Sequence, residues 1–60
     1  MFVVNHTTSR KTLDSIKLGD QISDGAFIRG IVIEIEVFQK NHSTFFYFRI
    51  KNGKLLMAIK

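Results

Sequence analysis

The chain has 60 residues, 45% of them hydrophobic, with no cysteine or proline and a net charge of +4 at pH 7. This length allows one small domain with a marginal core and excludes a multidomain enzyme, and the lack of cysteine excludes a disulfide-stabilised mini-protein. No apolar stretch reaches the roughly 20 residues that span a bilayer, and the N-terminus lacks a signal-peptide pattern, so we expect a cytoplasmic protein. Because so small a core usually needs added support, we also expect a homodimer.

The first half of the chain predicts short strands separated by turns. Phe2-Val3-Val4 is typical of a short strand, and Asn5 to Arg10 is polar and turn-like. Gly19-Asp20 and Ser23-Asp24-Gly25 are turn signals on either side of Ile22, where another short strand can begin. No stretch shows a sustained helical period, so these residues favour an all-β protein.

The second half predicts a three-stranded antiparallel meander. From Ile31 to Gln39, β-branched residues at odd positions alternate with Glu34 and Glu36, which indicates a half-buried strand. Residues 44–51 continue as an aromatic strand and residues 55–59 close the meander. Gly30, directly before the long strand, is a candidate β-bulge.

Two tight turns define the expected register. Asn52-Gly53 predicts a two-residue type I′ turn, and Asn41-His42 is expected at the tip of the preceding turn. Together they place an apolar set on one sheet face: Ile33, Ile35, Val37, Phe46, Phe48, Ile50, Leu55, Met57 and Ile59. The opposite face pairs Glu34 with Arg49, Glu36 with Tyr47, Phe38 with Phe45, and Lys51 with Lys54. The predicted fold is therefore a small all-β antiparallel barrel or sandwich, completed by homodimerisation.

The sequence offers no pattern of a catalytic or metal site. Its five carboxylates form no acid–base pair at a diagnostic spacing, and Glu34 and Glu36 are typical of a solvated strand face. His6 and His42 are far apart in a chain without a metal-ligand motif, and the serines lack a nucleophile-elbow context. We therefore expect a protein that is not an enzyme and that needs no metal or cofactor.

Basic and aromatic residues point instead to binding. Residues 1–30 carry a net charge of +1, residues 31–60 carry +3, and no acid follows Glu36. Such a charge attracts polyanions, while exposed aromatic rings can stack on unpaired bases. The candidates on the outer side of the last hairpin are Phe45, Tyr47, Arg49, Lys51, Lys54 and Lys60. An alternative is that Phe38, Phe45 and Leu56 form a dimer or protein interface with the lysines at its rim.

Residues 9–22 resemble the N-terminal signature of the carbon storage regulator family. The matching segments are Ser9-Arg10-Lys11, Asp14-Ser15-Ile16, Leu18-Gly19-Asp20 and Ile22. The chain departs from that family where Leu13 replaces a glycine and where residues 51–53 replace an Asn-Ala-Pro step.

The resemblance implies a β homodimer that binds GGA-containing hairpin loops in mRNA leaders and blocks ribosome access. It implies that Arg10 and Lys11 lie near the RNA at the end of the first strand, with Arg49 at a matching strand position. Lys60 is only a positional substitute for the family's late arginine.

Together these features predict a small RNA-binding translational regulator that acts as a homodimer. Its predicted RNA-binding residues are Arg10, Lys11, Tyr47, Arg49, Lys51, Lys54 and Lys60. The alternative function is a protein-binding β module, from a phage or mobile element, that uses its exposed aromatic face. Salt distinguishes the two, because RNA binding weakens steeply with ionic strength and a phenylalanine-centred interface does not.

Overall fold

The computed structural model describes residues 1–60, half of which lie in five strands. The elements are β1 (Phe2–Val3), α1 (Arg10–Ser15), β2 (Gln21–Ser23), β3 (Arg29–Lys40), β4 (Ser43–Ile50) and β5 (Leu55–Ile59). They build one sheet in the order β1-β2-β3-β4-β5, in which β1 is parallel to β2 and all other neighbours are antiparallel. The predicted β character and C-terminal meander are confirmed, whereas the sheet is mixed and does not close into a barrel.

A short helix occupies part of the first half, where only strands and turns were predicted. Ser9 caps α1, since its Oγ accepts a hydrogen bond from the Thr12 N–H at 3.2 Å. The helix ends at Ser15, and the backbone of the capping residue Ile16 is already extended. Six residues are too few to give a sustained helical period in the sequence. Because α1 starts at Arg10, Arg10 and Lys11 begin a helix and do not end the first strand as the family resemblance implied. The structure has no helix with the length and hydropathy of a membrane-spanning segment.

The turn between β3 and β4 has the predicted position. Asn41 and His42 both have positive φ, 51° and 69°, as a two-residue type I′ turn requires. Lys40 accordingly pairs with Ser43, and the predicted pairing of Val37 with Phe46 is confirmed.

A bulge in β3 changes the register nearer its start. The pairing shifts between Val32, which faces Ile50, and Glu34, which faces Arg49. Ile33 is therefore the extra residue and is 51% exposed, so its predicted place opposite Ile50 in the core is wrong. Gly30 is not the bulge, because it pairs in register with Ile22, and a Cβ there would lie 3.1 Å from Ile50 Cδ1, a close contact that favours glycine.

The turn between β4 and β5 contains three residues, Lys51 to Gly53, and not the predicted two. The Gly53 N–H donates to the Ile50 carbonyl at 2.9 Å, and the Ile50 N–H donates to the Lys54 carbonyl at 3.0 Å. Gly53 has a φ of +89° while Asn52 does not have a positive φ, which excludes a type I′ turn. The added loop residue pairs Arg49, and not Ile50, with Leu55.

This one-residue shift turns every side chain of β5 to the other face from the one predicted. Leu56 and Ala58 are buried, at 5% and 2% exposure. Leu55, Met57 and Ile59 are each nearly half exposed, so their predicted core positions are wrong. Leu56, which was predicted to take part in an interface, therefore lies in the core of the single chain.

The core lies between the sheet and the first twenty residues, on what we term the inner face. Its buried hydrophobic residues are Val4, Leu13, Ile16, Ile22, Val32, Phe46, Phe48, Ile50, Leu56 and Ala58. Leu13 and Ile16, from α1 and its end, belong to this cluster together with Phe46 and Phe48 of β4, so the helix segment covers the inner face. The other face has no covering element.

We predict that Leu56→Ala lowers the free energy of unfolding by about 2–5 kcal/mol, because it removes buried methyl groups and leaves a cavity. Leu55→Ala is the matched control and should cost less than about 1 kcal/mol, because Leu55 is already half exposed. Urea unfolding of both variants at low protein concentration measures the difference. Equal costs, or a larger cost at Leu55, would contradict the three-residue turn.

Candidate binding surfaces

The face of the sheet opposite α1 is mostly apolar, with Glu34, Glu36 and Arg49 as its charged residues on β3 and β4, and we term it the outer face. It carries Ile31, Ile33, Phe38, Phe45, Tyr47, Leu55, Met57 and Ile59. The registers place Met57 beside Tyr47 and Ile59 beside Phe45, which makes a continuous row across β4 and β5. Because single exposed hydrophobic residues are ordinary but a contiguous apolar patch is not, this face is a candidate interaction surface.

Three stacked aromatic rings occupy one end of the outer face. The ring centroid of Phe38 lies 5.1 Å from that of Phe45 and 5.5 Å from that of Tyr47, with interplanar angles of 11° and 15°. Phe38 is 40% exposed, while the other two rings are half-buried. Since the rings already stack on one another, their arrangement favours packing against an apolar surface over receiving unpaired bases.

The predicted cross-strand ion pair is confirmed. Arg49 Nε lies 3.1 Å from Glu34 Oε1, and Arg49 Nη1 also donates to the Gly53 carbonyl at 3.4 Å. Both charged side chains remain largely exposed, at 45% and 66%. Arg49, which was predicted to contact RNA, therefore lies on the outer face with its guanidinium paired to a carboxylate.

A second surface forms where the free ends of β3, β4 and β5 meet the N-terminal segment, and we term it the basic end. Its members are Arg10, Lys40 and Lys60, with Lys11 next to Arg10 in α1 and with His6 and His42 beside them. These residues come from three separate parts of the chain, and the fold brings them to one edge of the molecule.

Thr44 is the residue around which the basic end assembles. Its buried hydroxyl accepts a hydrogen bond from Arg10 Nη1 at 3.3 Å, and its backbone exchanges hydrogen bonds of 2.7 and 2.8 Å with Lys60. Thr44 also pairs with Gln39, which precedes Lys40. Arg10 and Lys60, which are 50 residues apart in the chain, therefore both contact this one threonine, and Lys40 lies at the same end of the sheet in the adjacent pair with Ser43.

Further contacts orient two of these cations. The Arg10 guanidinium carbon lies 6.0 Å from the centre of the Phe46 ring, and Asp14 Oδ2 lies 3.6 Å from Arg10 Nε. Lys60 Nζ donates to the His6 carbonyl at 3.0 Å, which ties the end of β5 to the N-terminal turn. Arg10 is still 55% exposed, so part of its guanidinium is free to meet a ligand.

The predicted RNA-binding residues do not form one surface. Lys51 and Lys54 lie at the β4–β5 turn, at the opposite end of β5 from Lys60. Lys54 and Lys60 are six residues apart along an extended strand, which corresponds to a distance of about 20 Å. Tyr47 and Arg49 lie between the two ends on the outer face, whereas Arg10 and Lys11 lie on the side of the helix.

Lys40 and His42 belong to the basic end but were not among the predicted binding residues. The signal for them was present in the sequence, because the tip at Asn41-His42 was predicted correctly. What the sequence lacked was any indication that Arg10, 34 residues away from Thr44, folds back onto this turn.

We predict that the Glu34–Arg49 pair contributes less than about 1 kcal/mol to stability, because both groups are exposed to solvent. A double-mutant cycle with alanine at each position, followed by urea unfolding, measures this coupling. Asp14 and Arg49, which form no pair, serve as the control couple and should give purely additive effects. A coupling that persists in about 1 M salt would contradict a solvent-exposed pair.

The structure contains no pocket and no group of three or more His, Asp or Glu side chains placed to hold a metal ion. Comparisons with family models, with curated proteins and with solved structures found no match to this chain. The outer face and the basic end are therefore the features from which a function can be argued.

Proposed function

We propose that this protein is a small RNA-binding regulator that holds the phosphate backbone of RNA at its basic end. The observation that carries the proposal is the convergence on Thr44 of cationic residues that are distant in sequence. Cations scattered over a surface serve solubility, whereas cations brought to one edge by specific contacts match a row of phosphates.

The local charge balance supports this assignment. Four Lys and Arg residues lie at the basic end, and Asp14 is the carboxylate that pairs with one of them. No acidic residue follows Glu36, so the strand ends around Thr44 carry no carboxylate side chain. The excess of positive charge here would attract a polyanion and release its counterions on binding.

Arg10 is suited to a positioning contact with phosphate. Its guanidinium is held by Thr44 and lies near Phe46, so part of its conformational freedom is already lost in the free protein. A planar guanidinium fits a phosphate through paired hydrogen bonds, and a preorganised one loses less entropy on binding. Lys11, Lys40 and Lys60 would add longer, mobile cations around it.

The choice of RNA among polyanions rests on the resemblance of residues 9–22 to the carbon storage regulator family. Arg10 and Lys11 belong both to that segment and to the basic end. We extend the proposal to the corresponding role, a cytoplasmic homodimer that regulates translation by binding mRNA leaders.

We predict that Lys11→Glu combined with Lys60→Glu weakens RNA binding by about tenfold or more, because each lysine removed is a lost phosphate contact. The measurement is fluorescence anisotropy of a labelled GGA-loop hairpin RNA beside a loop-scrambled hairpin, each at two salt concentrations. Lys51→Glu combined with Lys54→Glu is the matched control, since it makes the same charge change at the other end of the sheet and should cost much less.

Each outcome of that experiment has a distinct meaning. Equal losses in the two double variants would show general electrostatic attraction and contradict a site at the basic end. Absence of binding by the unaltered protein at low salt would contradict RNA binding altogether. A preference for the GGA loop over the scrambled loop would support the family role in particular.

The outer face favours a second candidate function, a module that acts by binding protein. Its aliphatic row of Leu55, Met57 and Ile59 would contribute nothing to phosphate recognition and suits an apolar partner. Such binding would tolerate salt and would be lost on Met57→Lys, whereas RNA binding at the basic end would show the opposite pattern.

A further inference from the structure

We propose that a second copy of this chain covers the outer face, so that two sheets pack against each other in a symmetric dimer. The outer face is the sheet surface that no element of the chain covers, and apart from Arg49 its side chains along β4 and β5 are aromatic or aliphatic. This proposal concerns a different surface from the basic end and does not depend on RNA binding.

The distribution of apolar residues in the sheet indicates that a second layer packs on its outer face. An antiparallel sheet with one wet face usually alternates apolar and polar residues, so that only one face is hydrophobic. Strand β5 instead has Leu56 and Ala58 buried on the inner face and Leu55, Met57 and Ile59 on the outer face, with no polar residue between Leu55 and Ile59. A strand that is apolar on both sides is typical of the middle layer between two packed surfaces.

The size of the face agrees with a small but specific dimer. The two larger extents of the molecule, 31 Å and 19 Å, limit the flat area of the sheet to about 590 Å² on each copy. Two copies would then bury at most about 1,200 Å², which lies at the lower limit of specific protein interfaces, so we expect a weak dimer.

The distribution of charge favours a copy of the same chain over a partner of opposite charge. Arg49 is neutralised by Glu34, whereas Glu36, which faces Tyr47 across the strands, is an exposed carboxylate without an ion pair. Glu34 and Glu36 both lie on β3 beyond the part that β2 covers, at the rim of the sheet. An apolar centre with a polar rim is typical of dimer interfaces, and a patch with so little net charge can pair with itself.

The lysines at the two ends of the sheet are compatible with this arrangement. Lys51 lies in the β4–β5 turn, Lys54 directly follows that turn, and Lys60 lies after β5, so all three are outside the apolar row. Repulsion between the lysines of the two copies would act through solvent, and salt at 0.1 M screens such charges beyond about 10 Å. The same lysines discourage association through the free edge of β5, because an antiparallel pairing of two β5 edges brings Lys54 close to Lys60 of the other copy.

Tyr47 provides a direct reporter of this interface. The chain contains one tyrosine and no tryptophan, so all tyrosine fluorescence comes from the middle of the outer face. Face-to-face dimerisation would shield Tyr47 from acrylamide, whereas pairing through the edges would leave it accessible. Quenching and mass together therefore identify the surface as well as the number of copies.

We expect sedimentation equilibrium of the full chain to show a mass that rises from 6.9 kDa to twice that value. Protein concentrations from about 1 µM to about 500 µM cover the affinities expected for so small an interface. Acrylamide quenching of Tyr47 should fall over the same range. A mass that stays at 6.9 kDa throughout would overturn the proposal and leave another protein as the occupant of the outer face.

Met57→Lys should keep the chain monomeric and keep Tyr47 accessible at every concentration. Phe27→Lys is the matched control, because Phe27 is 97% exposed in a loop outside the strands, and it should dimerise as the unaltered chain does. Met57→Lys should also retain RNA binding, since the basic end lies elsewhere.

Two further outcomes would count against the dimer proposed here. Equal dissociation of both variants would indicate general loss of solubility or charge repulsion, not an interface at Met57. If Met57→Lys fails to fold by circular dichroism, quenching of the unaltered protein still decides the matter. A dimer whose Tyr47 remains as accessible as in the monomer would overturn face-to-face packing.

Discussion

The three-residue turn between β4 and β5 determines how the rest of this small protein is built. Gly53, with its positive φ, closes the turn one residue later than a two-residue hairpin would. Because side chains alternate along a strand, that single residue decides whether Leu56 or Met57 enters the core. Leu56 and Ala58 pack in the core, and the side chains of Leu55, Met57 and Ile59 lie on the outer face.

Thr44 has a comparable role at the other end of the sheet. It is buried, it joins β4 to the residue that follows β5, and its hydroxyl receives Arg10 from the helix. A side chain that satisfies a polar contact inside the protein thus also orients a cation at its surface. The structure of the core and the charge pattern of the basic end depend on the same residue.

The two proposed surfaces are separate, which makes them compatible. The outer face is mostly apolar and its Arg49 is paired with Glu34, while the basic end collects cations at the edge of the sheet. A dimer built through the outer face would leave both basic ends free and would present two of them in one particle. Two linked sites bind a long polyanion more strongly than one, provided that the RNA can reach both.

Local sequence patterns by themselves determined the strands of the meander, the tip at Asn41-His42 and the Glu34–Arg49 pair, because each depends on alternation or on a short turn. They did not determine the helix after Ser9, which is too short to show a period, or the bulge at Ile33. Only the tertiary structure decided the face of each β5 residue and the meeting of Arg10 with Thr44. The first depends on a backbone conformation that Asn-Gly leaves open, and the second on the packing of Leu13 and Ile16 against the sheet.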